Sequence, residues 1–194
     1  MSKRIMIVVF TVLVTVVFIA PISLLYLLTK PTVDLNEEVF LKRSVLYAAG
    51  LDLPPSPAQL VALFNERVEE RSGQGGAYYV LKGEGGEPAG YVFLRTGPGL
   101  WGEITAAVGF DRGLETLTGV DFLKQNETPG LGARIAEKWF REQFRGKRGP
   151  FIVVGEGQPS QENEFDAITG ATLTTNFVKD LLNGTVAQVK ELVQ

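Results

Sequence analysis

The chain has 194 residues, with 19 Lys and Arg against 22 Asp and Glu, and it contains neither His nor Cys. This composition excludes a Ser-His or Cys-His nucleophile, a thiolate zinc site, an iron-sulfur cluster and c-type haem attachment. Redox chemistry in such a chain requires an organic cofactor bound through oxygen, backbone or apolar contacts.

The N-terminal segment is uncharged from Ile5 to Leu28. As a helix it rises about 1.5 Å per residue to roughly 36 Å, enough to cross a hydrocarbon core of about 30 Å. The sequence therefore predicts an anchor of residues 1–30 with one transmembrane helix over about 5–28. A cleaved signal peptide is the alternative, although the apolar region of such a peptide is typically shorter.

The charges beside this span predict its orientation. Lys3 and Arg4 precede it, and the acidic residues follow it. By the positive-inside rule, the N-terminus stays in the cytoplasm and residues 31–194 form an exported domain. We therefore expect a single-pass protein of the inner (cytoplasmic) membrane, with its domain on the periplasmic or extracytoplasmic side.

The predicted domain is acidic, with 16 Lys and Arg against 22 Asp and Glu in residues 31–194. This balance argues against a nucleic-acid surface and against electrostatic adhesion to anionic lipid. We therefore expect no nucleic-acid partner, and contact with the bilayer through the anchor.

Beyond the span, hydrophobic periodicity predicts helices around a run of strands. The predicted helices cover about residues 35–49, 58–71, 131–144 and 174–193. The predicted strands cover about residues 77–82, 90–96, 103–109, 117–123 and 151–154. Because the strands are consecutive rather than alternating with helices, the pattern indicates an α+β domain with an antiparallel-type sheet flanked by helices.

Three segments carry more glycine and small residues than their position requires: GPGLWG (97–102), ETPGLGAR (127–134) and DAITGATLT (166–174). Each has a structural interpretation, as a tight turn or a capped helix start. Each also has a functional one, since glycines let backbone approach a flat ligand, and a helix N-terminus with free N–H groups favours a phosphate. Spacing alone does not decide between them.

Taken together with LKRSVLYAAGL (41–51) and one N-terminal span, these segments resemble a known family. It comprises the covalent FMN-binding subunits of bacterial membrane redox pumps: the G subunit of Rnf complexes and the C subunit of the sodium-pumping NADH:quinone reductase. The wording of DAITGAT and LGAR is closer to the Rnf type. The resemblance runs over essentially the whole chain, and ETPGLG with TGAT is its most specific pair.

The resemblance implies a site for one covalently bound FMN per chain. The family's threonine phosphodiester maps onto Thr172. The rest of the flavinylation motif maps onto Asp166, Thr169, Gly170 and Ala171. The segments that hold the isoalloxazine ring in the family map onto Leu100, Trp101, Glu127, Thr128 and Leu131. Arg134 is a further candidate, because it can stabilise negative charge on the ring. No metal site is expected, and Thr174 is the fallback acceptor.

The resemblance implies an electron carrier in an ion-translocating complex, with other membrane subunits and a separate flavin transferase as partners. The composition agrees, because flavins attached through a ring methyl usually need His or Cys, whereas a phosphate ester needs only a hydroxyl. Alternatives are a subunit of the quinone-reductase type, a free-standing exported flavoprotein, and a membrane-tethered binding or assembly module without a redox role.

Overall fold

The computed structural model describes residues 2–73, 76–158 and 161–193. The chain divides into two compact units, Met1–Val39 and Phe40–Gln194. The helices predicted over 5–28 and 35–49 are one element, α1 (Lys3–Ala48). An ion pair of 3.1 Å between Lys30 Nζ and Asp34 Oδ1 spans the stretch where the prediction left a gap. Such a pair, four residues apart, stabilises a helix.

The first unit is helical, and its apolar side chains are exposed. Within the described residues, α1 is the one helix long and apolar enough to cross a bilayer. The hydroxyls of Thr11 and Thr15 donate to the carbonyls of Ile7 and Thr11 at 2.9 and 2.8 Å. The polar groups of these threonines are therefore satisfied within the helix, as an apolar environment requires.

The described residues of the second unit form ten further helices and strands. They are α2 (Pro57–Arg67), β1 (Val68–Gly73), β2 (Gly76–Lys82), β3 (Pro88–Pro98), β4 (Glu103–Asp111), β5 (Leu117–Lys124), α3 (Lys138–Glu142), β6 (Ile152–Val154), β7 (Glu164–Asp166) and α4 (Thr172–Leu192). Two short 3-10 turns, Glu84–Gly86 and Gly132–Ala136, interrupt the connections.

Strands β1 to β5 form an antiparallel sheet in chain order, and β6 pairs with β7 in parallel. Helix α4 packs against β3 and β4, and α3 packs against β5. The domain is thus an α+β fold with a five-stranded antiparallel sheet and flanking helices, as the sequence predicts. Four of the five predicted strands belong to the meander, because each carries a buried apolar run ending in a turn.

The prediction and the structure differ in three places. The helix predicted to Arg71 ends at Arg67, and β1 follows it; β1 is polar and almost wholly exposed, so it lacks the apolar alternation that marks a strand. The helix predicted over 131–144 is broken, because Glu137 is extended with φ −69° and ψ 147°. The third, β7, has only three residues and was not predicted.

The core lies between the sheet and α3, β6, β7 and α4, and it is rich in aromatic rings. Phe140, Phe144 and Phe165 are fully buried, and their ring centroids are 4.9 to 5.9 Å apart. The four-residue spacing of Phe140 and Phe144 keeps them on one side despite the break before α3. This aromatic cluster fixes the segment between Gly132 and Asp166 against the sheet.

The end of α1 packs on the sheet at a pair of glycines. Gly109 and Gly119 face each other across β4 and β5, and a Cβ atom at Gly109 would lie 2.0 Å from the Ala48 carbonyl oxygen. Thr118 Oγ1 donates to that same oxygen at 2.6 Å, and the Arg145 guanidinium donates to the Tyr47 carbonyl at 3.3 Å. Side chains of the second unit therefore cap the last carbonyls of the helix.

Candidate functional site

The three glycine-rich segments meet at one cleft of about 260 Å³. Its lining comes from the turn before β4, the segment before the second 3-10 turn, and the N-terminus of α4. The lining residues are Leu100, Glu127, Thr128, Leu131, Gly132, Gly170, Ala171, Thr172, Leu173 and Thr174. Segments that are far apart in the chain thus form one concave surface.

Glu127 joins all three segments through its carboxylate. It is 4% exposed. Its Oε1 accepts the backbone N–H groups of Leu100 at 2.8 Å and Trp101 at 3.2 Å. Its Oε2 accepts a short hydrogen bond from the hydroxyl of Thr174 on α4. A buried carboxylate is stable only with such donors, so Glu127 positions the walls of the cleft relative to one another.

Two glycines are required by the space around this carboxylate. A Cβ atom at Gly99 would lie 2.8 Å from Glu127 Oε1. A Cβ atom at Gly132 would lie 2.6 Å from Thr174 Oγ1 and 2.8 Å from Glu127 Oε2. Both distances are too short for a side chain, which explains a glycine on either side of Glu127.

The cleft has an apolar rim that is open to solvent. Leu100 is 45% exposed, Leu131 42% and Leu173 57%. The Cδ2 atom of Leu131 lies 3.0 Å from the position that a Cβ atom would take at Gly170, whose φ is +79°. Exposed leucines around a concave surface are typical of a binding site for an apolar ligand.

Thr172 is the first residue of α4 and is exposed at the edge of the cleft. Ala171, at the N-cap, provides no side-chain acceptor for the first turn of this 21-residue helix. Among the described residues, none is hydrogen-bonded to the Thr172 hydroxyl. The site therefore offers an accessible hydroxyl beside backbone N–H groups and the positive end of a helix dipole, which together favour a phosphate.

A second acidic residue, Glu156, joins Thr169 and Arg134. Its Oε2 accepts the Thr169 backbone N–H at 2.8 Å, and its Oε1 lies 3.1 Å from the Arg134 guanidinium. Hydrogen bonds from the side chain and backbone of Thr169, with the Arg134 charge, hold the pKa of Glu156 at about 2. Arg134 also pairs with Glu137 at 3.5 Å and lies over the Trp139 ring.

The structure brings together seven of the eleven predicted site residues and leaves four outside the cleft lining. Those outside are Trp101, Arg134, Asp166 and Thr169. The Trp101 ring is 66% exposed, and its Nε1 donates to Thr128 Oγ1 at 3.1 Å. Asp166 ends β7, and its Oδ2 accepts the Gly157 N–H at 2.8 Å. Their assigned roles remain predictions.

Sequence reasoning missed Leu173 and the contacts of Gly132 and Thr174 at the cleft. The sequence does contain a signal for Leu173: it is apolar, yet it lies off the buried stripe of α4 formed by Val178, Leu182 and Val189. No sequence signal marked Glu156 as a partner of Thr169. Thr174 is 1% exposed and donates to Glu127, so its hydroxyl has a structural role.

No group of three or more His, Cys, Asp or Glu residues suited to a metal ion occurs in the part of the chain that the structure describes. The cleft itself contributes one carboxylate, Glu127, whose two oxygens already accept hydrogen bonds from the protein. Its lining is therefore suited to an organic ligand with an apolar face and a phosphate rather than to a cation.

The proteins that resemble the chain include three relatives and one solved structure with informative coverage. It is 33% identical to the C subunit of the Na(+)-translocating NADH-quinone reductase of Yersinia pestis over 113 residues, 54% of this chain and 42% of that protein. It is 36% identical to the G subunit of the Na(+)-translocating ferredoxin:NAD(+) oxidoreductase complex of Acetobacterium woodii over 111 residues, 55% of this chain and 52% of that protein. It thus spans about half the length of these two relatives.

The third relative is the G subunit of the ion-translocating oxidoreductase complex of Methanosarcina acetivorans, 29% identical over 92% of this chain and 93% of that protein. The solved structure is that of the C subunit of the Na(+)-translocating NADH-quinone reductase of Parabacteroides distasonis. It is 25% identical and superimposes with a TM-score of 0.69 over 85% of this chain and 97% of that one.

The family model described as FMN-binding domain matches residues 99–187. The matched residues include the Leu100 turn, Glu127 and the N-terminus of α4, so they contain every residue that lines the cleft. Residues 99–187 of the chain therefore form a domain of the FMN-binding family, which the G subunits of Rnf-type complexes and the C subunits of sodium-translocating NADH-quinone reductases share.

Proposed function

We propose that this chain binds one FMN in the cleft, attached through a phosphodiester to Thr172, and that it carries electrons as a membrane-anchored subunit of an ion-translocating oxidoreductase. The observation that carries the proposal is the exposed Thr172 hydroxyl at the start of α4, beside a cleft with a leucine rim. When bound, FMN supplies the electron-accepting and electron-donating chemistry that the side chains lack.

The residues of the cleft suit both parts of FMN, the phosphate and the flat ring. Small residues, Gly170 and Ala171, leave the backbone of the α4 N-terminus accessible to a phosphate. Leu100, Leu131 and Leu173 provide apolar surface for a flat ring. A cleft of about 260 Å³ and an open rim accommodate part of the ring and leave an edge accessible for electron exchange.

In the proposed complex, each side chain binds, orients or excludes water. Thr172 Oγ1 would hold the phosphate, and the free N–H groups of the first turn of α4 would donate hydrogen bonds to it. Leu100 and Leu131 would contact the ring and exclude water from it. Glu127 fixes the position of the Leu100 turn relative to the N-terminus of α4 through its hydrogen bonds to Leu100 and Thr174.

The attachment requires a flavin transferase as a partner. Attachment would form a bond between Thr172 Oγ1 and the flavin phosphorus, while an activated (phosphoanhydride) P–O bond of the flavin donor breaks, its leaving group departs and the hydroxyl proton is lost. The chain would thus gain the mass of FMN less one water. Asp166 is half-buried, and it lies at the end of β7 rather than in the cleft lining. We assign to it a role in recognition by the transferase, not in ring binding.

For the complex, we propose the Rnf type, which acts between ferredoxin and NAD. The G subunit of Methanosarcina acetivorans, which aligns along 92% of this chain, supports it. The quinone-reductase type is the second candidate, favoured by the TM-score of 0.69 to the C subunit of Parabacteroides distasonis. Other subunits of such a complex, and the bilayer around residues 5–28, are the proposed partners.

We propose further that residues 1–30 anchor the protein in the inner membrane and that residues 31–194 form the FMN domain on the extracytoplasmic side. The apolar length of α1 supports an anchor, and Lys3 and Arg4 support a cytoplasmic N-terminus. A protease-accessibility assay at the C-terminus tests the orientation: cleavage by external protease in spheroplasts is expected, and protection contradicts it.

The attachment is tested by in-gel fluorescence after denaturing electrophoresis of the chain made alongside a flavin transferase. The wild-type band is expected to fluoresce, and Thr172→Val is expected to be dark. Thr174→Val is the matched control, because it removes a hydroxyl two residues away that already donates to Glu127. Fluorescence retained in Thr172→Val contradicts the proposal, and a chain without flavin absorbance would indicate a binding or assembly module.

A further inference from the structure

We propose that the negative charge of Glu127 lowers the redox potential of the flavin in the adjacent cleft. Glu127 is in this account a positioning residue with an electrostatic effect, not a catalytic one, and the inference rests on the proposed function above. It goes beyond that function because it assigns the control of the potential to one side chain.

The contacts of Glu127 suit an ionised carboxylate. Two backbone N–H groups, of Leu100 and Trp101, donate to Oε1, and the Thr174 hydroxyl is hydrogen-bonded to Oε2. Backbone N–H groups can only donate, and hydrogen bonds donated to a carboxylate stabilise its charged form.

Among the described residues, no Lys or Arg forms an ion pair with Glu127, whereas Glu156 pairs with Arg134 at 3.1 Å. Glu127 is also 4% exposed, so water screens it weakly. The field of a buried, unpaired anion extends further than that of an exposed ion pair.

The charge lies at the cleft rather than elsewhere in the core. Glu127 lines the cleft together with Leu100 and Leu131, the two leucines assigned to the ring. Reduction places additional negative charge on a flavin unless a proton is taken up. A fixed anion beside the ring opposes that gain and makes the oxidised flavin relatively more stable.

The substitution Glu127→Gln removes the negative charge and keeps the size and shape of the side chain. Its amide oxygen can accept the N–H groups of Leu100 and Trp101, and its NH₂ group can donate to Thr174 Oγ1, which also accepts. Asp111→Asn is the control, because Asp111 Oδ1 likewise accepts two backbone N–H groups, from Glu115 and Thr116. Asp111 ends β4, a nine-residue strand of roughly 27 Å that begins near Leu100.

The experiment is a spectroelectrochemical titration of full-length, flavin-loaded protein in detergent, after flavin content has been measured for each variant. The midpoint potential of Glu127→Gln is expected to shift to more positive values, and that of Asp111→Asn is expected to equal the wild-type value. Equal potentials in Glu127→Gln and wild type overturn the inference. A wild-type chain without flavin overturns the proposed function first, so the two failures are distinguishable.

A second variant keeps the inference testable where Glu127→Gln does not load flavin. Thr174→Val removes one of the three donors that offset the charge and keeps the carboxylate. Its potential is expected to shift to more negative values, opposite to Glu127→Gln. A positive shift in Thr174→Val indicates that packing or hydration, and not the charge, controls the potential, and it overturns the inference.

Discussion

The two threonine hydroxyls at the start of α4 are expected to contribute very differently to stability when each is replaced by valine. Thr174 is 1% exposed and donates to the buried Glu127 carboxylate. A hydrogen bond to a charged group contributes about 1.5 to 3 kcal/mol to the free energy of unfolding, so Thr174→Val loses that amount. Thr172 is exposed, and Thr172→Val changes this free energy by about 0.5 kcal/mol or less.

In a unit of about this size, 1 kcal/mol corresponds to roughly 2 to 4 °C in Tm. Thr174→Val is therefore expected to lower Tm by about 3 to 12 °C, and Thr172→Val by less than about 2 °C. The assay is calorimetry of full-length chains in detergent, made without the transferase, so that flavin does not contribute. Equal Tm values for the two variants would refute the role assigned to the bond between Thr174 and Glu127.

Three further predictions concern the surroundings of the cleft. Gly132→Ala is expected to lower Tm, because its Cβ would lie 2.6 Å from Thr174 Oγ1; an unchanged Tm contradicts this packing. Asp166→Ala is expected to reduce the loaded fraction, measured as flavin absorbance per chain, without changing the potential of loaded protein; unchanged loading contradicts a role in recognition. The folded-state pKa of Glu156, about 2, lies below its ordinary 4.5, so its stabilisation is present above about pH 4.5 and is lost as pH falls toward 2. Glu156→Gln is expected to flatten the fall of Tm in that window, and an unchanged profile contradicts the assignment.

Most of the fold was predictable where burial and sequence pattern coincide. Strands β2 to β5 carry buried apolar runs, and turns that contain glycine follow β2, β3 and β4, so the antiparallel meander follows from the sequence. Strand β1 was missed because its side chains from Glu69 to Ser72 are polar and exposed at the edge of the sheet. The break at Glu137 depends on contacts of the folded chain, since Trp139 Nε1 donates to the Glu137 side chain.

The site was predictable as motifs but not as contacts. The sequence marks the three glycine-rich segments, and seven of the eleven predicted residues line one cleft. The sequence does not indicate that Glu127 joins those segments, because its partners are the backbone of Leu100 and Trp101 and a hydroxyl 47 positions away. Pairings of that range depend on the tertiary fold, as does the pairing of Glu156 with Arg134.

Attachment of FMN to the exposed hydroxyl of Thr172 is tested most directly by mass spectrometry. Full-length chain extracted from membranes of cells that contain a flavin transferase is measured intact and then as peptides. We expect an added mass equal to FMN less one water, confined to the peptide that contains Thr172. An unmodified mass, or the same addition on a different residue, would contradict it.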